Sequence, residues 1–338
     1  MTNYKFIILI IYLLIPYLLV SLLIFGPIAV LNLINKKYGF RIKNMYMSSL
    51  SFFVKYYMGI EIFTNSNSIL KEIIDDNNLS KNILISNHPT EIDFLIFPFI
   101  INNIYNFYEF KYISMAKKTI GYVLSGLSMA SILSKDLLLD RDINHDIVRL
   151  KSDNNCNLLF LYPEGTCFSS LYKKKSDIYT RKNKLPNYNY HLYPRITGLE
   201  IILKNHKFNN IYDMTIVYDS IPKEWYGTSF NLLDFINKYR FPTRIYIKFD
   251  KYILHRSENI KNLLELVYRN KDNFISSFNP NSNKFKAMTY NYLNGLISFI
   301  CVSLLFILSL YLFLYYSSVR IFYSSEIIIY YIYIAFVY

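Results

Sequence analysis

Asn82-Ile83-Leu84-Ile85-Ser86-Asn87-His88-Pro89-Thr90-Glu91-Ile92-Asp93 is the stretch that decides the fold. Its apolar first half predicts a buried strand over residues 82–86, and its polar second half predicts a strand-to-helix turn. In an α/β fold, binding and catalytic residues lie at the carboxyl ends of the strands. A carboxylate there can accept a hydrogen bond from one imidazole nitrogen while the other nitrogen faces a substrate hydroxyl. The spacing therefore predicts a general base made of His88 and Asp93, with a local hydrogen bond or a helix cap as the alternative.

A second apolar run ends in a polar turn in the same way. Leu158-Leu159-Phe160-Leu161-Tyr162 predicts another buried strand, and Pro163-Glu164-Gly165-Thr166 follows it directly. Backbone N–H groups and a carboxylate in such a turn can bind hydroxyls. A plain glycine turn with an exposed glutamate is the alternative. The sequence thus predicts two strand ends that carry polar groups.

Predicted strands and helices alternate through the middle of the chain, which indicates an α/β fold with a mixed, largely parallel sheet flanked by helices. The predicted strands cover residues 82–86, 111–115, 132–139, 157–162, 211–218 and 243–250. The predicted helices cover residues 91–104, 120–129, 142–152, 197–204 and 258–277. Residues 173–184 are interpreted as a charge-dense insertion.

Both ends of the chain carry long hydrophobic stretches. Residues 6–34 exceed the roughly 20 residues that cross a bilayer, so they tilt or break at Pro16. Residues 293–316 predict a second span, and residues 321–338 predict either a third span or a segment at the interface. The predicted organisation is an N-terminal membrane anchor (1–44), a folded domain (45–288) and C-terminal membrane segments (289–338). Basic residues beside the spans place that domain in the cytosol.

Composition narrows the class of partner. The chain has 338 residues, is 53% hydrophobic and carries a formal charge of +13, a pattern typical of a protein held at an anionic membrane surface. It lacks a zinc-finger spacing, an RNA-binding motif and a recognition-helix pattern, so nucleic acid is not expected as a partner. Its three cysteines are too scattered for a disulfide framework or a metal centre. We expect no metal and no other cofactor; a metal bound by His88, Glu91 and Asp93 is disfavoured because the helix after the turn directs Glu91 away.

The two polar turns resemble the paired motifs of the glycerolipid acyltransferase family, which transfers fatty acyl groups from acyl-CoA to lysophospholipids or glycerol 3-phosphate. Leu185-Pro186 and the segment His191-Leu192-Tyr193-Pro194-Arg195-Ile196-Thr197-Gly198 resemble the lysophosphatidic acid and lysocardiolipin acyltransferase branch. The resemblance covers residues 45–251 in the right motif order. It implies the glycerolipid acyltransferase fold, with acyl-CoA and a lysophospholipid as substrates.

Acyl transfer from a thioester to a hydroxyl requires a base during attack and donors for the oxyanion. His88 is assigned as the base and Asp93 as the residue that orients its ring. We expect direct attack by the hydroxyl; a covalent route through Cys167 is the alternative, although nothing near it in the sequence predicts a lowered thiol pKa. Glu164, Gly165 and Thr166 are expected to position the glycerol hydroxyls of the acceptor.

Phosphate recognition is where the sequence departs from the resemblance. Arg141 matches the family position that binds acceptor phosphate, with a surface ion pair to Asp140 or Asp142 as the alternative. Many family members carry an arginine directly after the Glu-Gly-Thr turn, and here that position is Cys167. Arg195 is expected to replace the missing charge. A second candidate is the basic set Lys173, Lys174, Lys175, Arg181, Lys182 and Lys184.

The resulting expectation is an integral membrane protein of the endoplasmic reticulum or another endomembrane, with a cytosolic catalytic domain that acylates lysophospholipids. Two alternatives stay open: a non-catalytic lipid-binding scaffold on the same fold, and a transacylase that does not use CoA.

Overall fold

The computed structural model describes part of the chain. The described residues are 37–56, 59–75, 81–90, 93, 96, 99–100, 112–117, 137–139, 146–148, 151, 158–219, 244–254, 259–282, 284–288 and 290–315. The predicted spans at 6–34 and 321–338, the predicted helix at 120–129 and the site residue Arg141 lie outside them.

The main elements among the described residues are eight strands and six helices. The strands are β1 (Glu61–Thr64), β2 (Asn82–Ser86), β3 (Tyr112–Lys117), β4 (Leu137–Leu139), β5 (Leu158–Leu161), β6 (Asn210–Tyr218), β7 (Arg244–Ile253) and the short β8 (Lys286–Ala287). The helices are α1 (Lys37–Tyr56), α2 (Asn67–Asp75), α3 (Ser170–Asn183), α4 (Thr197–Asn205), α5 (Ile260–Ser277) and α6 (Tyr292–Tyr315).

The strands form one sheet in the order β4-β3-β5-β2-β6-β7-β1-β8. Neighbours from β4 through β6 are parallel, as are β7 and β1. Two pairings are antiparallel, β6 with β7 and β1 with β8. The prediction of an α/β fold with a mixed, largely parallel sheet is therefore confirmed.

Central strands of this sheet are buried on both faces, which explains why they read as continuous apolar runs rather than alternating ones. Every residue of β2 and β6 is buried. Because successive side chains point to opposite faces, Leu84 packs into the core that also contains Ile73 of α2, whereas Ile83 packs into the core that contains Ile202 of α4 and Val267 of α5. Helices therefore cover both faces of the sheet.

The predicted elements recover the centre of the sheet and miss its far edge. The strand prediction at 82–86 is confirmed to the residue, and those at 157–162, 211–218 and 243–250 agree with β5, β6 and β7 to within three residues at each end. Strands β1 and β8 and helices α1 and α2 were not predicted. Both missed strands are short, and β8 has only two residues. Strands this short do not show the alternation of apolar and polar residues that predicts a strand.

Most of the segment interpreted as a charge-dense insertion, residues 173–184, is helical and lies in α3. The helix starts at Ser169, whose side chain accepts a hydrogen bond from Tyr172 N, and it ends at Lys184 in the left-handed conformation. An ion pair between residues four positions apart, Lys173 and Asp177, stabilises the helix. A charged helix with so few buried residues has a weak hydrophobic pattern, which is why the helix itself was not predicted.

Helix α6 coincides with the predicted span at 293–316. It packs against α1 through aromatic contacts, with the Phe52 ring 5.2 Å from Phe299 and 5.7 Å from Tyr292 between centroids. Within the described ranges, no helix meets the combined demands of length and apolar character for crossing a membrane.

Candidate active site

The site forms where β2 and β5 end side by side. These strands pair in parallel, with Ile83 opposite Leu159, so the turns that follow them leave the sheet at the same edge. Two hydrogen bonds fasten the turns together. The backbone N–H of His88 donates to Glu164 Oε1 over 3.1 Å, and the N–H of Phe168 donates to the His88 carbonyl oxygen over 2.8 Å. The two predicted motifs therefore form one structure.

Asp93 orients the imidazole of His88. Its Oδ2 lies 2.8 Å from His88 Nδ1 and also accepts the Thr90 N–H over 3.1 Å. Its Oδ1 accepts from the Thr90 hydroxyl over 2.8 Å and from the hydroxyl of Tyr218. The carboxylate has no exposure to solvent. A buried carboxylate with this many donors is held in one position, and it fixes the ring so that Nε2 faces away from it.

The environment of His88 raises its pKa to about 10 from the ordinary value of 6.5. Burial by itself lowers this pKa, but the hydrogen bond with Asp93 and then the contact with Cys167 outweigh it. The ring also stacks on Tyr162, with centroids 4.1 Å apart and planes at 18°. In the resting site at neutral pH the imidazole therefore carries a proton, and it must release that proton before it can act as a base.

Cys167 lies directly against this imidazole. Its Sγ is 3.1 Å from Nε2 and 3.8 Å from Nδ1 of His88. The two distances together place the sulfur over the ring near Nε2 and not in line with the Nε2 lone pair. This contact was not predicted, because the two residues are 79 positions apart in the sequence. The pairing of β2 with β5 brings them together.

Glu164 joins three segments of the site. It is 2% exposed, and its second oxygen, Oε2, accepts the backbone N–H of Leu192 over 3.2 Å. His191 Nδ1 lies 3.8 Å from Oε1. With both oxygens bound to backbone N–H groups, Glu164 positions the His88 turn and the 191–195 segment. Its predicted contact with the acceptor stays a prediction.

Gly165 and Arg195 make a close pair. Gly165 has φ +68°, a conformation that favours glycine, and a β-carbon there would lie 3.0 Å from Cδ and Nε of Arg195. The Arg195 N–H donates to the Pro163 carbonyl oxygen over 2.7 Å. The structure thus places Arg195 on the turn that contains Gly165 and the buried Thr166. The chain position that lacks the family arginine follows that turn directly.

Sequence reasoning missed four residues that shape the site: Asn87, Thr90, Tyr162 and Tyr218. The Asn87 side chain bridges to β6, donating to the Ile216 carbonyl oxygen over 3.0 Å and accepting its N–H over 2.7 Å. Tyr218 could have been predicted as a site residue, since it ends a predicted strand and the carboxyl ends of parallel strands meet at the same edge of the sheet. Within the described ranges, no group of three or more His, Cys, Asp or Glu side chains is arranged to hold a metal ion.

The site is thus a histidine–aspartate pair on one strand end, fastened to a Pro-Glu-Gly-Thr turn on the next strand end. Residues 70–218 match the family described as Acyltransferase. The chain is also similar to lysocardiolipin acyltransferase 1 of Gallus gallus, at 24% identity over 198 residues that cover 55% of this chain and 50% of the relative. It thus spans about half the length of that relative. Together the two matches support the glycerolipid acyltransferase family, as the motifs predict.

Proposed function

We propose that the protein transfers a fatty acyl group from acyl-CoA to the hydroxyl of a lysophospholipid at a membrane surface. The observation that carries the proposal is the His88–Asp93 pair at 2.8 Å, inside a segment that matches the Acyltransferase family. A non-catalytic scaffold has no need of a buried carboxylate that fixes an imidazole.

Acyl transfer from a thioester to a hydroxyl requires a side chain that can both accept and donate a proton at the reacting atoms. The acceptor hydroxyl must lose its proton as it attacks the acyl carbon, and the departing thiolate must gain one. His88 Nε2 can do both in turn, since Nδ1 stays bonded to Asp93. A positioned base of this kind typically contributes about 10²–10⁴ in rate.

Recognition of the acceptor is proposed to depend on arginine. Arg195 lies against the Gly165 turn, next to the position where many relatives carry an arginine. A guanidinium offers a planar fork of donors that matches phosphate oxygens. Arg141, with the α3 set of Lys173, Lys174, Lys175, Arg181 and Lys182, is the other source of positive charge. Glu164, Gly165 and Thr166 are proposed to support the acceptor hydroxyls through the turn's backbone.

Attachment to a membrane is also part of the proposal, with the endoplasmic reticulum or another endomembrane as the setting and the cytosol as the side of the catalytic domain. What supports it is the formal charge of +13 and the exposed apolar side chains of α6, which include Leu304 at 60% and Ile307 at 61% exposure. Basic surfaces gain about 1 kcal/mol per charge beside anionic lipid.

An assay of the purified protein with labelled acyl-CoA and a panel of lysophospholipids tests the function. We expect labelled diacyl phospholipid from the wild type, loss of product in His88→Ala, and a strong reduction in Asp93→Asn. His206→Ala is the control, because His206 follows α4 outside the two turns. Product made only from a phospholipid donor would replace the proposal with a transacylase that does not use CoA. Absence of product with every donor would replace it with a scaffold.

A further inference from the structure

Helix α3 belongs to a segment that leaves the active-site edge of the sheet and returns to it. The N–H of Phe168, two residues before the helix, donates to the His88 carbonyl oxygen over 2.8 Å. After the helix, the N–H of Leu192 donates to Glu164 Oε2 over 3.2 Å. Residues 168–192 therefore start and end at the turns that form the site, and α3 is held at that edge of the sheet.

One side of α3 is apolar and open to solvent. Leu171 and Ile178 are 59% and 63% exposed, and Tyr172 and Tyr179 are exposed as well. Seven residues make almost two full turns, so the two members of each pair lie on the same side of the helix. Thr180, the buried residue of α3, lies on the opposite side. Contiguous apolar residues that the protein leaves uncovered indicate a surface that binds a partner.

Positive charge lies on the same side of α3. Lys175 and Lys182, also seven residues apart, lie between the leucine–isoleucine pair and the tyrosine pair. Asp177 is the only acidic residue of the helix, and it is paired with Lys173. The exposed basic residues of α3 are Lys174, Lys175, Arg181 and Lys182. This side of the helix is therefore complementary in charge to an anionic partner.

A lipid surface matches this combination better than a protein does. Protein interfaces are depleted of lysine at their centre, whereas Lys175 and Lys182 lie in the middle of the exposed side. In a helix that lies on a membrane, leucine and isoleucine enter the acyl boundary and tyrosine lies at headgroup level. Lysine places its apolar stem along the same surface and its ammonium group at the lipid phosphates.

Deepening the proposed function, on whose membrane setting it rests, we infer that α3 docks on an anionic lipid surface. The docking face consists of Leu171, Tyr172, Ile178 and Tyr179, together with the exposed basic residues of the helix. Docking holds the active-site edge of the sheet against the lipid headgroups. A lysophospholipid hydroxyl then reaches His88 while its acyl chain stays in the bilayer.

The first test measures where α3 lies, and it does not depend on catalysis. An environment-sensitive dye is attached to Leu171→Cys or to Leu266→Cys, a matched control at an exposed leucine of α5. The background has its native cysteines replaced by serine. The full chain is reconstituted in vesicles of phosphatidylcholine alone or with added phosphatidylglycerol. We expect a blue shift and quenching by spin-labelled lipid at residue 171, largest with phosphatidylglycerol, and neither effect at residue 266.

The role of charge is tested in the same dye-labelled protein. Lys175→Glu with Lys182→Glu should abolish the difference between vesicles with and without phosphatidylglycerol, because the attraction to anionic lipid is reversed at two positions. Lys261→Glu changes an exposed lysine of α5 and should leave that difference intact. Raised salt should weaken the wild-type signal in the anionic vesicles, since exposed charges are screened.

The second test asks whether docking serves the reaction. Leu171→Ser with Ile178→Ser alters side chains that are already exposed, so the fold should persist. We expect the apparent KM for lysophospholipid in anionic vesicles to rise about tenfold or more, because apolar burial in the membrane is lost. Turnover of a short-chain lysophospholipid dissolved as monomer should stay at the wild-type level. Leu266→Ser with Ile253→Ser, the control at two other exposed apolar residues, should change neither measurement.

Failure of this inference and failure of the proposed function give different results. A dye at residue 171 that reports water in both kinds of vesicle overturns docking, even if lysophospholipid is acylated. An equal shift in both kinds overturns the anionic class of partner. A shift in detergent solution that grows with protein concentration means that a second copy of the chain covers the face, which also overturns the inference. A shift in anionic vesicles without acylation of any lysophospholipid keeps docking and overturns the proposed function.

Discussion

The residue that links structure to chemistry is His88, and its protonation is set by its neighbours. Asp93 holds Nδ1 at 2.8 Å, and the ring is only 18% exposed. A histidine gains charge stability from such a partner, so protonation and folding are coupled. The same coupling makes the site sensitive to alkaline pH.

That coupling predicts a pH profile for stability. Since the folded pKa of about 10 lies above the ordinary 6.5, the stabilisation from His88 is fully present below pH 6.5 and is lost as the pH rises through about 10. We expect the difference in unfolding midpoint between wild type and His88→Gln to be largest at mildly acidic pH and to vanish above the folded pKa. Asp93→Asn is the control and should remove most of the dependence. A difference that grows with pH would contradict the sign.

Substitution of Gly165 is expected to affect activity beyond its effect on stability. Gly165→Ala places a side chain in a left-handed conformation, which costs about 1–2 kcal/mol, and its β-carbon comes within 3.0 Å of Arg195. Gly59 has φ +71° with nothing within 4 Å, so Gly59→Ala adds the backbone strain alone. We expect a lower unfolding midpoint for both variants, with the larger loss in Gly165→Ala, and loss of acceptor use in Gly165→Ala only. Equal activity in the two would show that Arg195 does not act through this contact.

Among the elements, α5 is tied to β6 by a buried ion pair. Lys271 is 1% exposed, its Nζ donates to the Met214 carbonyl oxygen over 2.7 Å, and it lies 2.5 Å from Oδ1 of the fully buried Asp213. Burial lowers the pKa of Lys271 and raises that of Asp213, each against the pull of its partner. The pair fixes how the helix sits on the sheet.

Removal of one partner should be far worse than removal of both. Lys271→Met leaves the Asp213 carboxylate buried and uncompensated, which costs about 3–5 kcal/mol. The double variant Lys271→Met with Asp213→Leu should recover most of that loss, because no charge is left inside. Denaturant unfolding of the wild type, both single variants and the double variant measures the coupling. Additive losses would mean that the two charges do not stabilise each other.

How closely a strand or helix could be predicted from the sequence depended on how regular its pattern of apolar residues is. Strand β2 and helix α4 were predicted closely, because their residues are buried in a regular order. Helix α3 was not, since its caps at Ser169 and Lys184 define it better than any apolar face. Strand β1 pairs with β7, and β8 pairs with β1, and such pairing between distant segments cannot be read from the local sequence.

At the scale of the whole molecule, the orientation of the folded domain relative to the membrane can be tested. If basic flanks place residues 45–288 in the cytosol, a cysteine introduced at the exposed Lys174 of α3 should react with a membrane-impermeant maleimide added outside sealed endomembrane vesicles. The background lacks Cys156, Cys167 and Cys301, and detergent-opened vesicles give the full signal. Labelling that appears only after detergent would place α3 in the lumen.

The sequence by itself determined the class of fold and the His88–Asp93 pair, because a buried parallel strand is a continuous apolar run and its end is marked by polar residues. It also placed Glu164, Gly165 and Arg195 in motifs that meet. Only the tertiary structure decided that Cys167 touches His88, that Tyr218 bonds to Asp93, and that both oxygens of Glu164 bind backbone N–H groups. The physical reason is that these contacts join segments far apart in the chain, and strand order in the sheet, not spacing along the sequence, sets which of them meet.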